Sequence, residues 1–202
     1  MEADNKKFWE KTARLYAPIQ ECSNRKLYES VTAHCRPYIN SDCAVLELAC
    51  GSGQLTLPLC SLAKSWEATD FSPKMLEEGR KRCPGVNFSL QDATALTYGD
   101  KSFDIAIIAN ALHIMPEPKK ALGEMHRVLK DGGIIIAPTF VYEGKVNRFR
   151  MALTNLVGFK TYEKWDLNQL AEAVAEPGFE ILEKSLLPGD PLPEGFVVGK
   201  KI

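Results

Sequence analysis

The stretch Val45-Leu-Glu-Leu-Ala-Cys-Gly-Ser-Gly53 constrains this chain more than any other. A short apolar run closes on a carboxylate, Glu47, then turns through the small residues Ala49, Gly51 and Gly53 into a segment of helical character. A parallel strand feeds a nucleotide-sized ligand in this way. Glycine lets the backbone come to contact distance, and the start of the next helix offers unpaired N–H groups. The acid at the strand tip separates the candidate ligands. A pyrophosphate would be repelled by it, whereas a ligand bearing an ammonium and a sulfonium would not.

From residue 43 onward, short apolar runs alternate with amphipathic segments. The runs are 43–48, 65–69, 86–90, 103–109 and 133–137, and helical stretches at 54–63, 73–82 and 117–130 separate most of them. Such alternation predicts right-handed βαβ units and a parallel sheet. Ile105-Ala-Ile-Ile-Ala109 and Ile134-Ile-Ile-Ala137 are apolar throughout, as central strands buried on both faces should be. Asp131-Gly132-Gly133 reads as the turn from a helix ending at Lys130 into the fifth strand. Two helices are expected before the sheet, Asn5–Tyr16 and Gln20–Cys35, bounded by Pro18 and Pro37. Two more follow it, at 144–158 and 166–175, the latter stopped by Pro177-Gly178. The segments 179–186 and 195–200 read as an antiparallel strand pair. The expected architecture is a doubly wound, Rossmann-like α/β fold with a seven-stranded sheet, mostly parallel and antiparallel in its last strand.

The 202 residues fit a single domain, 1–202, with an N-terminal helical lid (1–40), a ligand-binding core (41–140) and a further part (141–202) of helices and a terminal hairpin. A formal net charge of −1 gives no electrostatic reason to expect nucleic acid or an anionic membrane as partner. There is no 18-residue apolar stretch and no secretion signal, so stable membrane insertion is not expected and the cytoplasm is the default location. The six cysteines include no Cys-x-x-Cys pair and no histidine at ligand spacing, so no metal site is expected.

Four polar positions fall at or just after strand ends, where open α/β sheets bind ligands. Glu47 is near the end of the first strand and Asp70 ends the second, where a carboxylate can grip a ribose diol. Asp92 follows the third, and Asn110 follows the fourth. One such residue would be an ordinary cap; four in register point to one shared edge.

These segments resemble the class I S-adenosylmethionine-dependent methyltransferases over residues 43–140. The likeness rests on Val45–Gly53, Ala68-Thr-Asp-Phe-Ser-Pro-Lys-Met75, Gln91-Asp-Ala93, Phe103–His113 and His126-Arg-Val-Leu-Lys-Asp-Gly-Gly133, in that order. The family usually has glycine where this chain has Ala49, a change that keeps the turn provided the position does not need positive φ. It often has proline at the position of Asp131. The resemblance implies S-adenosyl-L-methionine as cofactor and S-adenosylhomocysteine as product. The turn Ala49-Cys50-Gly51-Ser52-Gly53 would pass under the methionine part, and Glu47 would hold that turn and meet the ammonium directly or through water. Asp70 would accept from both ribose hydroxyls. Phe71 and Met75 would flank the adenine, Asp92 and the Ala93 amide would read it, and Asn110 would lie beside the sulfonium. Tyr16, in a leader that also holds Phe8 and Trp9, would face the site from the lid.

A dinucleotide-binding reading shares Asp70 but wants glycine or alanine at position 56, which is Thr56. A protein that binds the cofactor without catalysis, as sensor or subunit, fits the same residues. For a catalyst the work is alignment of an in-line displacement, and only a hydroxyl acceptor would want a base. His113, three residues past Asn110, is the candidate for that base; its bland alternative is a histidine packed beside the ligand. His126 and His34 read as structural. Aromatic residues over 139–165 (Phe140, Tyr142, Phe149, Trp165) and Arg150 would supply the acceptor wall. No basic groove or Asn-Pro-Pro-Tyr-type sequence marks a macromolecular substrate, leaving a small-molecule acceptor and a monomer or homodimer.

Overall fold

A computed structural model describes residues 12–13, 24–143, 161–189 and 192–202. The expected helices at 5–16 and 144–158 lie outside these residues but for Thr12 and Ala13, and so do Phe8, Trp9, Tyr16, Phe149 and Arg150.

The strands are β1 (Ala44–Leu48), β2 (Ser65–Asp70), β3 (Asn87–Leu90), β4 (Phe103–Ile108), β5 (Leu129–Ile136), β6 (Thr139–Phe140), β7 (Phe179–Leu187) and β8 (Glu194–Lys201). The helices are α1 (Arg25–Cys35), α2 (Thr56–Leu59), α3 (Pro73–Arg82), α4 (Pro118–Val128) and α5 (Leu167–Ala175). The path through the sheet is β3-β2-β1-β4-β5-β8, with β7 on the outer side of β8. β1 pairs in parallel with both β2 and β4, so the strand order reverses there, the point at which such sheets bind ligands. β8 is antiparallel to β5 and β7.

The eight strands follow seven lines. β6 continues β5 along one edge of β8, since Ile136 faces Val198 and Thr139 faces Gly195 with no slip in register. Pro138 has no N–H to donate, and the strand is interrupted around it.

Alternation along the central strands builds two cores. Leu46, Leu48, Ala106, Ile108 and Ile135 meet Leu122 and Met125 of α4 and Leu170 and Val174 of α5 on one face. Val45, Ile105, Ile107 and Ile136 meet Leu27, Val31 and Cys35 of α1, Leu59 of α2 and Leu76 of α3 on the other. Each of these strand residues is at most 2% exposed, as their unbroken apolar runs require.

Local chemistry sets the helix ends. Ser72 caps α3 by accepting from the Met75 amide at 3.4 Å, with Pro73 in the first turn. Asp166 and Gln169 form a reciprocal capping box on α5, at 2.9 and 3.0 Å. Two expected helices are shorter than their patterns. The 54–63 stretch yields only α2 and a 3₁₀ turn, Cys60–Leu62, because Pro58 withholds a helical hydrogen bond. α4 stops at Val128, and Leu129 already pairs with Phe103. Residues 130–133 form the irregularity that follows, where a side chain on Gly133 would come within 2.8 Å of the Lys130 carbonyl. Among the described residues no helix is long and apolar enough to cross a membrane.

Candidate functional site

A cleft opens where the sheet order reverses, at the C-terminal ends of β1, β2 and β4. Of the residues singled out from the sequence, Ala49, Gly51, Asp70, Phe71, Met75, Ala93 and Asn110 line it. Thr69, Gln91, Ala109, Ala111, Ile114 and Met115 complete the wall. Glu47, Cys50, Gly53, Asp92 and His113 are not among the residues that line the cleft.

Asp70 is the centre of the β2 side. It is 5% exposed, and its two oxygens are fixed separately, Oδ2 by the Gly51 amide at 3.0 Å and Oδ1 by the Ser72 amide at 2.8 Å. Burial pushes its carboxyl up to about 6, against the pull of these amides. Each oxygen keeps a second lone pair for a ligand hydroxyl. The same carboxylate therefore orders the turn after β1 and presents an acceptor pair to the cleft.

Glu47 acts from behind. At 2% exposure, its Oε2 accepts from Thr56 Oγ1 (2.6 Å) and Trp66 Nε1 (2.8 Å). Burial lifts its carboxyl to about 7, the two hydrogen bonds pull it back, and the charge of Asp70 adds to the rise. Of the two roles expected for it, holding the turn is the one this placement serves: it ties α2 and β2 to β1. Cys50 packs into the core, and burial raises its thiol well above the ordinary range. Gly53, at φ +85°, abuts the Cys83 thiol.

The condition attached to Ala49 is not met. The residue has φ +52°, so the position does call for the left-handed region, and alanine takes it at about 1–2 kcal/mol of strain. Asn110 has φ +53°, which asparagine tolerates better. Two of the three described non-glycine residues with positive φ thus line one cleft, where strain is expected when backbone must be aimed at a ligand.

Asp92 turns to its own loop, accepting from the amide (2.9 Å) and hydroxyl (2.8 Å) of Thr94. Burial works to raise its carboxyl, but with the Thr94 hydrogen bonds the group falls below the usual range. Its neighbours Gln91 and Ala93 face the cleft instead. His113 is 3% exposed, with Nδ1 2.7 Å from Thr139 Oγ1 and its ring edge-on to Phe140 at 5.6 Å. Burial lowers its ring to about 4, so it is neutral at physiological pH.

Sequence reading missed Glu194. This first residue of β8 is fully buried and joins the site through Asn110, whose Nδ2 donates to Glu194 Oε2 at 3.4 Å. Burial lifts its carboxyl to about 8. No strand-end rule for parallel strands would find it, because β8 runs the other way and brings its start to this edge.

Residues 46–137 match the family described as Methyltransferase domain. The chain is 31% identical over 153 residues to an uncharacterized methyltransferase of Synechocystis, covering 73% of this chain and 72% of that one. This chain belongs to the class I S-adenosylmethionine-dependent methyltransferases. It is also 43% identical over 96 residues to a demethylmenaquinone methyltransferase of Renibacterium salmoninarum, 48% of this chain and 40% of that protein. The chain thus spans well under half the length of such relatives. In fold it is similar to a Thermotoga maritima S-adenosylmethionine-dependent methyltransferase described as a possible histamine N-methyltransferase. The TM-score is 0.79 at 23% identity, over 98% of this chain and 99% of that one.

S-adenosylmethionine is the cofactor that goes with this family, and the cleft suits it. A buried carboxylate with two free acceptor positions matches a ribose diol. Phe71 and Met75 offer apolar surface for a purine, and Asn110 Oδ1 is buried without a hydrogen-bond partner among the described residues.

Proposed function

We propose that the protein transfers a methyl group from S-adenosylmethionine to a small acceptor. The observation that supports this best is Asp70, a carboxylate buried at a strand tip, with both oxygens aimed by backbone amides at one cleft. In this reading Asp70 accepts from the two ribose hydroxyls, Phe71 and Met75 flank the purine, and Gln91 with the Ala93 backbone reads its edge. Glu47 and Ala49 hold the turn that passes under the methionine part. When bound, the cofactor supplies an electrophilic methyl group on a sulfonium. The residues around it bind, orient and exclude water, an alignment that can be worth ~7–11 kcal/mol. His113 keeps a neutral ring against Thr139 and serves to position the β4 tip beside the acceptor.

Calorimetry with S-adenosylhomocysteine and with NAD tests the binding half. The former should bind, and at 100 times its dissociation constant should stabilise the fold by about 2.7 kcal/mol; NAD should give no heat. Binding of NAD with none of the homocysteine nucleoside would refute the assignment. Labelled S-adenosylmethionine offered with amines, thiols and phenols tests the transfer. Tight binding with no label passed to any of them would leave a sensor in place of an enzyme.

A further inference from the structure

Two buried polar side-chain atoms lack a hydrogen-bond partner among the described residues, Asn110 Oδ1 and Glu194 Oε1. They belong to one pair, joined where Asn110 Nδ2 donates to Glu194 Oε2 at 3.4 Å. A buried acceptor left unmade is costly, and native structures leave few. Glu47 and Asp70, the other buried carboxylates near this edge, are satisfied by donors of the protein. The shortage has a chemical form. An amide offers an oxygen and an N–H₂, whereas an ionised carboxylate offers two oxygens and no donor. Ionised, the two side chains share one bond and leave two oxygens unmet. With a proton on Glu194 they can share two.

The surroundings favour the proton. Glu194 is fully buried, opposite Phe140 of β6 and Leu187 of β7. Titratable groups on the elements around it bring no positive charge. Cys35 of α1, which feels the charge of Glu194, is a thiol that burial raises far above its ordinary range. His113, edge-on to Phe140, has a neutral ring. Glu183 of β7 is a further acid, accepting from Tyr38 at 2.7 Å. Burial accordingly lifts the Glu194 carboxyl to about 8, so it keeps its proton at neutral pH.

We propose that Glu194 is a positioning residue that works as a neutral acid, closing a cyclic acid–amide pair with Asn110 and so fixing the cleft wall after β4. This rests on the methyltransferase reading above, in which the cofactor lies against that wall. The Glu194 O–H donates to Asn110 Oδ1 while its carbonyl accepts from Nδ2, and neither oxygen has to reach the cleft. Asn110 holds a left-handed backbone, φ +53°, in the cleft wall, and its amide donates to the Pro138 carbonyl at 2.8 Å. The acid–amide pair adds a second hold, from β8. Loss of the proton breaks the O–H bond, leaves its electron pair on the carboxylate and sends the proton to solvent. Two acceptors then confront each other, and Asn110 has to turn away. Cofactor affinity falls as a result, and it does so as the pH rises past the titration of Glu194.

Infrared difference spectra of the whole protein, parent minus Glu194→Gln, test the acid. They should show a carboxylic-acid C=O band at neutral pH that is gone by about pH 9.5. Glutamine is a fixed copy of the neutral acid, since its N–H₂ donates where the acid O–H does. Calorimetry with S-adenosylhomocysteine tests the consequence. Glu194→Gln should match the parent at neutral pH, and by about pH 9.5 the parent should bind roughly three- to tenfold more weakly than the variant. Glu194→Ala, which removes the hold, should bind about tenfold more weakly than the parent at neutral pH. Comparison with the variant cancels the titrations of Glu47, Asp70 and the ligand amine. The proposal is overturned if the acid band is missing at neutral pH, if parent and Glu194→Gln lose affinity alike, or if Glu194→Ala binds as tightly as the parent. Should Glu194→Gln fail to fold, carbon-13 titration of the parent's glutamate carboxyls decides, and the absence of one with a midpoint near 8 overturns the proposal. Failure of the parent to bind S-adenosylhomocysteine at any pH would instead refute the methyltransferase reading, and the infrared band would still judge the acid–amide pair.

Discussion

Two carboxylates at the same edge of the sheet are treated in opposite ways. Asp70, at the tip of β2, has a backbone amide on each oxygen and needs no ligand to be content. Glu194, at the start of β8, has one long contact to Asn110 and, among the described residues, no partner for its Oε1. The proposed cofactor grip is thus organised in advance by the fold, whereas the other end is short of donors among the described residues. In the proposed reading, preorganisation of Asp70 favours cofactor affinity.

The widest gap between the two should emerge from pH titration of Glu194→Gln. The Glu194 carboxyl lies near 8 when folded, against 4.5 as its ordinary value. Between those limits the native state holds the extra proton, so its contribution to stability is full below 4.5 and is lost as pH rises towards 8. Glutamine has no such dependence. The parent should therefore lose ground to the variant by up to ~1.4 kcal/mol per pH unit across this window, in chemical denaturation. His113 works in the opposite sense, adding stability as pH rises from about 4 to 6.5, but it cancels in the difference between parent and variant. A flat difference would mean that Glu194 finds solvent or a cation.

Asp70→Ala attacks the satisfied end. It removes the acceptor pair that the proposed reading gives to the ribose, and S-adenosylhomocysteine affinity should fall roughly 100-fold, about 3 kcal/mol by calorimetry. Unchanged affinity would erase the contrast. Trp66→Phe touches neither end directly but takes one donor from Glu47, and should destabilise the fold by about 1–3 kcal/mol. Its effect on cofactor affinity should be smaller than that of Asp70→Ala. Ala49→Gly should do least: relief of the left-handed backbone at φ +52°, offset by the added freedom of the unfolded chain, leaves about 0.5–1 kcal/mol of stabilisation in thermal unfolding.

What sequence made legible divides along the same line. The central parallel strands were readable because a segment buried on both faces must be apolar, as Ile105–Ile108 of β4 and Ile134–Ile136 of β5 are, whereas β2 and β3, which carry polar residues, were readable only from their alternation with helical segments. Asp70 was readable because the parallel strand tips gather at one edge and Gly51 because a small-residue turn follows β1, whereas Phe71 and Met75 came from the family resemblance. Pro58 was visible, but its power to cut a ten-residue amphipathic pattern to one turn depends on packing that periodicity does not record. Ala109 and Ala111 bear no chemical signal, and their role in the cleft wall follows only from the path of the chain after β4. Glu194 looked like a loop residue between Pro193 and Gly195. Its importance comes from pairing with Phe140, a contact between distant parts of the chain.

The antiparallel course of β8 has a bearing on assembly. Asn110 and Glu194 are 84 positions apart, and their meeting waits on the docking of the C-terminal hairpin against β5. The proposed nucleoside grip spans only residues 49 to 93 and closes with shorter loops. Partial unfolding that peels away β7 and β8 would then break the Asn110–Glu194 contact while sparing the proposed grip on adenosine. Hydrogen exchange should see the amides of β8 open before those of β1.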